Sequence, residues 1–390
     1  MITVDEALAR IFALCQPLEQ ESVPLALAAG RVLAEPARAP RDQPPFPASA
    51  MDGYALAGPV APGVGLRVIG QAPAGHAFAG RLQPGEALRI FTGAPVPAGA
   101  DRVVIQENAE REGDTVTLRA CPEAAANIRP AGQDFRAGDI LSAPRRLRPV
   151  DLAILASMNL AEASVIRRPE VAVIATGDEL VMPGEDPRDD QIVASNMFAI
   201  KAMIEAEGGT ARLLPIARDD TARLSAVLEM ARGADVIVTI GGASVGDHDL
   251  VEATVGALGA RTAFYKVAMR PGKPLMAGRV FDALMLGLPG NPVSAIVCAH
   301  LFLLPALRAL QGLGGWPAPT GTARLAEPVA ANGPRAHYMR ARLEPDGLIR
   351  PFSDQDSALV GVLGEADALL IRPISDPARD GGQPVRYIPI

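Results

Sequence analysis

The sequence predicts a multi-domain α/β plus β protein. In this fold a doubly wound, mostly parallel sheet is joined to a helical domain with an inserted β domain and to a C-terminal β domain. The chain has 390 residues, 49% of them hydrophobic, which is more than one ordinary core requires. From Val171 onward, near-continuous apolar strands alternate with amphipathic helices, the pattern of a parallel sheet covered on both faces. Short apolar stretches separated by Gly and Pro favour β domains before and after that region.

The first helix is predicted from Thr3 to Cys15, because Thr3 and Glu6 fit a capping box and apolar residues recur on one face. A second helical piece is predicted from Leu25 to Leu33, and helix returns from Pro149 to Leu160. We expect these helical segments to pack together. The β segment between them is then an insertion into one helical domain.

Short strands are predicted between residues 51 and 139. The Pro-rich residues 40–47 form a linker or extended loop that leads into them. The strand candidates are Leu66–Ile69, Ala87–Ile90, Arg102–Ile105 and Thr115–Leu118. A second β-rich segment is predicted from residue 320 to residue 390, after a glycine-rich linker at 312–315.

The α/β region is predicted element by element. The strands are Val171–Ala175, Arg212–Ile216, Asp235–Ile240, Ala263–Val267 and Ala283–Leu286. The helices are Ser195–Glu207, Asp220–Arg232, Leu250–Leu258 and Val293–Leu310. Gly208 and Gly233 are expected to end two of these helices, since glycine readily adopts the left-handed conformation of a helix C-terminus.

Composition excludes several classes of function. Aromatic residues make up 4% of the chain and the net charge is −7, whereas nucleic-acid-binding proteins usually offer stacking rings and a basic face. No signal-peptide pattern is present, and the longest apolar stretch is interrupted by Ser294, His300 and Pro305. The three cysteines lack metal-ligand spacing. We therefore expect a cytoplasmic protein that binds neither nucleic acid nor a membrane.

The segment 287–294, GLPGNPVS, is predicted to be a strand-to-helix connection. Asn291 can cap the helix, and Pro292 suits its first position, where no N–H is needed. The N–H groups of Val293 and Ser294 would then be free to bind an anion. A well-capped structural turn explains the same residues equally well.

Four loops follow the carboxyl ends of predicted strands, where open α/β sheets bind ligands. They are Thr176–Leu180, Gly241–Asp249, the loop with Lys266, Arg270 and Lys273, and Gly287–Ser294. Glycine turns supply backbone donors, the cations supply positive charge, and the acidic residues supply metal ligands or bases. Together they predict a site for a phosphorylated ligand and a divalent metal ion.

Each loop also has a purely structural interpretation that the residues alone leave open. Gly177-Asp178 is a common turn, Asp249 can cap the following helix, and the basic residues can form an exposed face. Familiar motifs are missing. No G-x-G-x-x-G opens the first turn, Lys273 precedes a proline and so does not belong to a Walker loop, and the four histidines are scattered.

Two acidic residues stand out in the inserted segment: Asp52, within Ser49–Tyr54, and Asp134, within Gly132–Asp139. The Asp-Gly turn is a sufficient structural reason for Asp52, and Thr92 lies in a predicted turn. The residues alone do not connect this segment to the rim of the α/β sheet.

Taken together, these segments resemble the MoeA family of molybdopterin molybdenumtransferases, which is related to the E domain of animal gephyrin. The resemblance spans nearly the whole chain and rests on Ser49–Tyr54, Phe91–Pro97, Thr176–Leu180, Gly241–Asp249, Arg270–Pro274 and Gly287–Ser294, in this order. It implies an elongated helical domain from residues 1–40 and 140–168 and an inserted β domain at 41–139. It also implies an α/β molybdopterin-binding domain at 169–314, similar to the molybdopterin adenylyltransferases, and a C-terminal β domain at 315–390.

The resemblance also implies a reaction. Molybdate is inserted into adenylylated molybdopterin with loss of AMP, which gives the molybdenum cofactor. Mg²⁺ is the implied metal ion, since it would neutralise the phosphates. A homodimer with its active site near the subunit interface is implied, and contacts with other proteins of molybdenum-cofactor biosynthesis are compatible with it.

Roles for individual residues follow from the same resemblance. The implied catalytic residues are Asp52, Asp134, Glu179, Asp249, Lys266, Arg270 and Lys273, with Glu179 and Asp249 as metal ligands. The implied substrate contacts are Thr92, Thr176, Gly177, Gly241, Gly242, Ser244, Gly287, Gly290, Asn291, Ser294, Arg340 and Ser357, with Arg335 as a competing match for Arg340. The two acids of the inserted domain are expected to come from the other subunit. Many relatives carry lysine where this chain has Arg270; arginine keeps the charge and adds a planar fork of donors.

Two alternative functions stay open. One is a molybdopterin-binding scaffold of the same fold, which the intact acidic and basic loops disfavour. The other is molybdopterin adenylyltransferase, which the large inserted domain and the C-terminal domain disfavour. Product analysis separates the enzymes, because the adenylyltransferase consumes ATP whereas the insertase consumes the adenylylated pterin and releases AMP.

Overall fold

The computed structural model describes residues 1–119, 126–242 and 250–390. Its first helix, α1 (Val4–Phe12), begins after Thr3, whose hydroxyl accepts the Glu6 N–H at 3.2 Å while the Glu6 carboxylate accepts the Thr3 N–H at 2.8 Å. The predicted capping box is therefore confirmed. The buried face of α1 packs into the core of the α/β domain, and not against residues 149–160 as the sequence analysis expected.

The segment after α1 is mainly extended. Its strands are β1 (Gln20–Pro24), β2 (Val32–Leu33) and β3 (Ala37–Arg38). The prediction of helix at 25–33 is wrong: a single 3₁₀ turn, Leu25–Leu27, is followed by β2. Strand β2 lies between two later strands, Arg145–Arg146 and Glu162–Ile166, and its apolar side chains are almost fully buried. Tertiary pairing therefore overrides the local helical preference.

The inserted domain is a β domain, as predicted. Its strands are β4 (Ala48–Ser49), β5 (Gly53–Leu56), β6 (Gly65–Ala72), β7 (Glu86–Ile90), β8 (Arg102–Ile105), β9 (Ala109–Glu112), β10 (Thr115–Leu118) and β11 (Ile128–Arg129). Six of them form one sheet in the order β8-β5-β7-β6-β10-β9. Alternate residues of β5 face two different apolar clusters, so this sheet is buried on both faces.

The chain returns from the insertion next to the point where it left. The elements are β12 (Ile140–Leu141), β13 (Arg145–Arg146), α2 (Pro149–Ser157) and β14 (Glu162–Ile166). Strand β12 pairs with β3, and β1-β14-β2-β13 form a four-stranded sheet on which α2 packs. The predicted helical domain of two chain segments thus contains one full α-helix on a small sheet.

The α/β domain is doubly wound. Its strands are β15 (Glu170–Ala175), β16 (Leu180–Val181), β17 (Ile192–Val193), β18 (Thr210–Leu213), β19 (Val236–Ile240), β20 (Arg261–Tyr265), β21 (Met269–Arg270), β22 (Met276–Val280) and β23 (Ala283–Leu288). Its helices are α3 (Asn196–Ala206), α4 (Thr221–Met230), α5 (Leu250–Ala257), α6 (Pro292–Cys298) and α7 (Leu304–Leu310), the last two joined by a π-helical turn, Ala299–Leu303.

The main sheet has the order β18-β15-β19-β23-β22-β20. The first four strands are parallel, and β22 is antiparallel to both of its neighbours. Helices α3, α6 and α7 pack with α1 on one face, and α4 and α5 cover the other. The mostly parallel, doubly wound sheet is confirmed. Strand β22 was not predicted.

A single long apolar helix, Pro292–Leu310, has the length and the composition of a membrane span within the described residues. The mean hydropathy of this 19-residue helix is 1.9, but 83% of its most apolar 18-residue stretch is buried inside the protein. It packs against α1, α3 and the main sheet, so its apolar surface is that of a core helix.

The C-terminal domain is a small closed barrel. Its elements are β24 (Gly321–Leu325), β25 (Ala336–Leu343), β26 (Leu348–Pro351), α8 (Val360–Gly364), β27 (Ala368–Arg372) and β28 (Pro384–Pro389). The order β25-β26-β24-β28-β27 closes on itself because β27 also pairs with β25. Strand β21 of the α/β domain adds to β25, which ties the basic loop to the barrel.

Candidate active site

A cavity of about 920 Å³ opens where the parallel strands β15, β19 and β23 end. The predicted site residues among its described lining are Thr176, Gly177, Glu179, Gly241, Gly242, Gly290, Asn291 and Ser294. This is the edge at which open α/β sheets bind ligands. The structure thus brings together the loops after the first, third and fifth predicted strands. Ser244 and Asp249 lie outside the described residues.

Glycines form the floor of the cavity because the backbones approach one another closely there. A Cβ on Gly241 would lie 2.6 Å from the Thr176 carbonyl oxygen, and one on Gly242 would lie 2.4 Å from a methyl carbon of Val251. Both glycines have positive φ angles, 97° and 68°. The turn after β19 therefore accepts no larger residue at either position.

Glu179 is exposed at the edge of the cavity, on the turn after β15. Its carboxylate lies over Gly177, where a Cβ would come within 2.5 to 2.8 Å of the carboxyl atoms. Asp219, from the loop after β18, lines the same cavity. Two carboxylates from neighbouring strand ends are thus available to a ligand.

At the helix N-terminus at 291–294, for which the sequence left both an anion site and a capped turn open, one of the two N–H groups in question has a partner within the protein. The Val293 N–H donates to the Ser357 carbonyl oxygen at 3.1 Å. The Asn291 side chain does not cap the helix; its Nδ2 donates to Ser357 Oγ at 2.9 Å. A loop of the barrel therefore occupies part of this helix end, and it places Ser357 beside the cavity.

Residues at the N-terminus of α3 form another wall of the cavity. Asn196 donates from Nδ2 to the Gly290 carbonyl oxygen at 2.7 Å, which joins α3 to the turn after β23. Ile192 and Val193 of β17 also line the cavity and leave large apolar surfaces exposed. The cavity therefore offers polar groups on one side and an apolar wall on another, as ligand pockets commonly do.

The basic residues do not lie in the described lining of this cavity, although the next residue, Pro274, does. They sit on a tight loop in which the Val267 N–H donates to the Lys273 carbonyl oxygen at 3.0 Å. The Lys266 ammonium lies 4.7 Å from the centre of the Tyr265 ring. The predicted cluster of three cations on one rim is thus partly dispersed.

Arg270 points instead into a second, smaller cavity of about 250 Å³ between the basic loop and the barrel. Its guanidinium lies 2.9 Å from His337 Nδ1. Burial and the nearby positive charges of Arg270 and Arg372 lower the pKa of His337 to about 3. The ring is therefore neutral at pH 7, and its Nδ1 accepts the hydrogen bond because arginine can only donate.

Two of the residues predicted to contact the substrate, Arg340 and Gly287, are buried and contact other parts of the protein. Arg340 is 1% exposed, and its guanidinium donates to the carbonyl oxygens of Leu359 and Asp354 at 3.1 and 3.2 Å. It thereby holds the barrel loop that carries Ser357. Gly287 lies within β23, fully buried against Met276.

The acids of the inserted domain belong to a separate surface. Asp134 is exposed and lines a cavity of about 590 Å³ together with Arg129 and Gly93. Next to Gly93, the main-chain N–H and the hydroxyl of Thr92 donate to Asp52 Oδ1 at 2.7 and 2.8 Å. These two hydrogen bonds, aided by the charge of Arg89, hold the pKa of Asp52 below its ordinary value.

Replacing Thr92 with valine is expected to raise the pKa of Asp52 towards its ordinary value, because one of two donors to the carboxylate is lost. The folded pKa is depressed, so the Asp52–Thr92 contact stabilises the fold above the unfolded value near 3.8 and is lost as pH falls through the folded pKa. Carboxyl-carbon NMR titration measures the shift, with Thr92→Ser as the control that keeps the hydroxyl. An unchanged pKa in the valine variant would contradict this account.

Several residues of the site were not found in the sequence. Asp219, Asn196 and Ser195 line the cavity, and Arg218 contacts the turn that carries Glu179. Asp219 and Arg218 follow β18, so the rule about the carboxyl ends of strands would have found them, had it been applied to every predicted strand. No sequence signal marked Asn196.

The fold is that of a doubly wound α/β protein with a cavity at the carboxyl edge of the sheet, and a barrel loop completes the cavity wall. The chain belongs to the MoeA family. The model of the MoeA N-terminal region (domains I and II) matches residues 2–159, that of a probable molybdopterin binding domain matches 172–309, and that of the MoeA C-terminal region (domain IV) matches 322–390.

Similar proteins agree with this assignment. A molybdopterin molybdenumtransferase from Nostoc sp. is 34% identical over 383 residues, which cover 94% of this chain and 88% of the relative. One from Haemophilus influenzae is 36% identical over 324 residues, which cover 82% and 80%. The crystal structure of a molybdopterin biosynthesis MoeA protein from Pyrococcus horikoshii superposes with a TM-score of 0.84 at 31% identity, covering 100% of this chain and 99% of that one.

Proposed function

We propose that this chain is a transferase of molybdenum-cofactor biosynthesis that inserts molybdate into adenylylated molybdopterin and releases AMP. The observation that carries the proposal is the cavity at the carboxyl edge of the main sheet. It lies in the segment matched by the probable molybdopterin binding domain and has glycine turns and two carboxylates in its lining. The curated relatives that cover most of the chain are named for this transferase.

The cavity suits a ligand of this kind in size and in chemistry. Its volume of about 920 Å³ lies within the range of drug-sized ligand pockets, roughly 300 to 1,000 Å³. The apolar wall of Ile192 and Val193 fits the flat pterin, and the polar turns fit the phosphates. In the reaction water cleaves the phosphoanhydride bond and AMP is released. The two dithiolene sulfurs bind molybdenum in place of one molybdate oxygen, which leaves as water with the two thiol protons.

The carboxylates of the site fit Mg²⁺. Glu179 and Asp219 are hard oxygen donors on one cavity, and Mg²⁺ is usually held by one or two carboxylates together with substrate phosphates. Among residues 1–119, 126–242 and 250–390, no three metal-ligating side chains converge, which matches a metal bound mainly by substrate and water. When bound, Mg²⁺ would neutralise the phosphates and favour departure of AMP.

Molybdate is a dianion, and in a chain of net charge −7 its binding depends on local cations. Lys266, Arg270 and Lys273 lie on the loop between the main cavity and the barrel, and Pro274 of that loop lines the cavity. We assign molybdate binding to this loop, with Arg270 and Lys273 as the principal contacts. The neutral His337 ring orients the Arg270 guanidinium.

A homodimer is part of the proposal, because Asp134 lines a cavity that shares no described lining residue with the one at Glu179, and Asp52 is bonded to Thr92, next to Gly93 of that lining. If both cavities serve one reaction, the inserted domain of a second copy is the natural supplier of these acids. Mixing Asp52→Ala chains with Glu179→Gln chains is then expected to recover about a quarter of the normal activity, since half of the random dimers hold one complete site. Recovery of no activity would contradict the shared site, because it would mean that Asp52 and Glu179 of one site belong to the same chain.

We also propose a cytoplasmic location and contacts with proteins that supply the adenylylated substrate. Cys15 and Cys298 are free thiols in the described chain and are buried. Free thiols are usual in a reducing compartment, where disulfides rarely form. The substrate is a reactive anhydride, so direct transfer from the enzyme that makes it would protect it from hydrolysis.

The test is an assay of AMP release from adenylylated molybdopterin and Mg²⁺, with and without molybdate. Molybdate-dependent AMP is the expected result. Tight binding of the adenylylated pterin without AMP release would replace the proposal with that of a binding scaffold. Consumption of ATP with formation of the adenylylated pterin would replace it with an adenylyltransferase.

A further inference from the structure

One arginine joins two loops at the edge of the active-site cavity. The Arg218 guanidinium, from the loop after β18, donates to three main-chain oxygens of the turn after β15: those of Gly177, Asp178 and Leu180, at 3.4, 2.8 and 3.0 Å. All three contacts are made by one nitrogen, Nη1, so a single positively charged group lies among the three carbonyl oxygens.

The same two loops are joined in the reverse direction. The Asp219 N–H donates to Asp178 Oδ1 at 3.1 Å, and the Gly177 N–H donates to the Ala217 carbonyl oxygen at 3.1 Å. The arginine contacts therefore belong to a built junction. Without Arg218, the three carbonyl oxygens would lose the donor that they share.

The turn that Arg218 holds carries Glu179. The Glu179 carbonyl oxygen accepts the Ile192 N–H at 2.8 Å, and its carboxylate lies over Gly177 at the edge of the cavity. Arg218 thus binds the main chain on both sides of Glu179, and β17 binds the main chain of Glu179 itself. A change in the turn necessarily moves the carboxylate.

We propose that Arg218 is a positioning residue, which acts through the turn 177–180 to hold the Glu179 carboxylate in the geometry that binds a divalent cation. The inference rests on the proposed function, in which Glu179 is a ligand of that cation. Arg218 itself touches neither metal nor substrate in this role. Lysine at the same position would also present its charge and its donors on one nitrogen, but on a shorter side chain, so it is expected to restore the function only in part.

The experiment compares the unsubstituted chain with Arg218→Ala, Arg218→Lys and a control, Arg223→Ala. Arg223 is exposed on α4, and its replacement removes the same charge from the same part of the chain. Binding of Mn²⁺ in the presence of AMP is followed by the electron paramagnetic resonance signal of the free ion. Hydrogen exchange of the amides at 177–182 is followed by mass spectrometry. Neither readout requires turnover.

We expect Arg218→Ala to weaken Mn²⁺ binding by about 10- to 100-fold, the usual effect of losing a group that orients a ligand, and Arg218→Lys to weaken it less. Exchange should rise in the 177–182 segment of both variants and stay unchanged in Arg223→Ala. Addition of free guanidinium at millimolar concentration should partly restore Mn²⁺ binding by Arg218→Ala.

Three results would overturn the inference. One is faster exchange at 177–182 with unchanged Mn²⁺ affinity, which would make Arg218 a merely structural residue. Another is an equal loss of affinity in the Arg223 control, which would make the effect one of net charge. The third is no Mn²⁺ binding by the unsubstituted chain. Failure of the proposed function is recognised separately, as the absence of molybdate-dependent AMP release from the unsubstituted protein.

Discussion

Replacement of Gly241 with alanine is expected to lower the rate of AMP release by about 10²-fold, the effect of a displacement of about 1 Å at a reacting site. The new methyl carbon would meet the Thr176 carbonyl oxygen at 2.6 Å. The carbonyl belongs to the backbone and the backbone fixes the position of the Cβ, so neither atom can rotate away. The φ angle of 97° adds strain of roughly 1 to 3 kcal/mol. The floor of the cavity must shift to accept the change.

Gly259→Ala is the matched control for this variant. Gly259 also has a positive φ, 82°, but an added Cβ would have no heavy atom within 4 Å. Urea denaturation and the AMP assay should show a modest loss of stability and normal activity for Gly259→Ala, and a larger loss of both for Gly241→Ala. Equal behaviour of the two variants would show that backbone strain, and not the clash with Thr176, governs this position.

Glu179→Gln is expected to lower the rate of AMP release by about 10² to 10³, because the change removes a negative charge from the site at nearly constant shape. Glu179 is exposed, and none of its hydrogen bonds in the described structure is made through the carboxylate. The fold should therefore tolerate the substitution. Added Mg²⁺ at high concentration should restore part of the rate if the lost function is metal binding.

The control is Asp186→Asn, which removes one charge from an exposed position in the next connection along the chain, between β16 and β17. Its rate and its dependence on Mg²⁺ should equal those of the unsubstituted protein. A rate loss of less than about tenfold in Glu179→Gln would exclude this carboxylate as a principal metal ligand.

The strands of the α/β domain were predictable because a buried parallel strand needs an unbroken apolar run. Four of the five predicted strands occupy the parallel part of the sheet, with ends shifted by one to three residues. Strand β22 was missed because Gly278 and Arg279 interrupt its apolar pattern. Its direction, antiparallel to β23, depends on a hairpin that leaves no periodic signal.

It was harder to predict which helices and strands pack together than to predict the helices and strands themselves. The amphipathic pattern at the N-terminus predicts that Ala7, Leu8, Ile11, Phe12 and Cys15 share one face. All of them are buried except Phe12, which is partly buried. The pattern does not say which surface covers them, since any apolar face satisfies it. The same limit applies to the segment 25–33, where two short elements are stabilised by strands more than 100 residues away in sequence.

For the candidate site, too, the local features were predictable and the contacts between distant parts of the chain were not. The rule that ligands bind at strand ends located Thr176, Glu179 and Gly241 at one cavity. It did not predict that Arg270 would be drawn towards the barrel, because the pairing of β21 with β25 joins residues 67 positions apart. Nor did it predict that Ser357 would take the Val293 N–H, since capping rules describe a helix end in isolation.

The packing of α1 has a consequence for the order in which the protein is made. Its contacts are with β20 and α7, the second of which ends at Leu310. At a translation rate of roughly 5 to 20 residues per second, the apolar face of α1 stays uncovered for about 15 to 60 s until α7 has been synthesised. The inserted domain has no such delay, because the strands of its main sheet all lie between residues 53 and 118. We expect it to fold on the ribosome while α1 is still uncovered, so a chain interrupted before α7 would present a finished β domain beside an apolar helix exposed to chaperones.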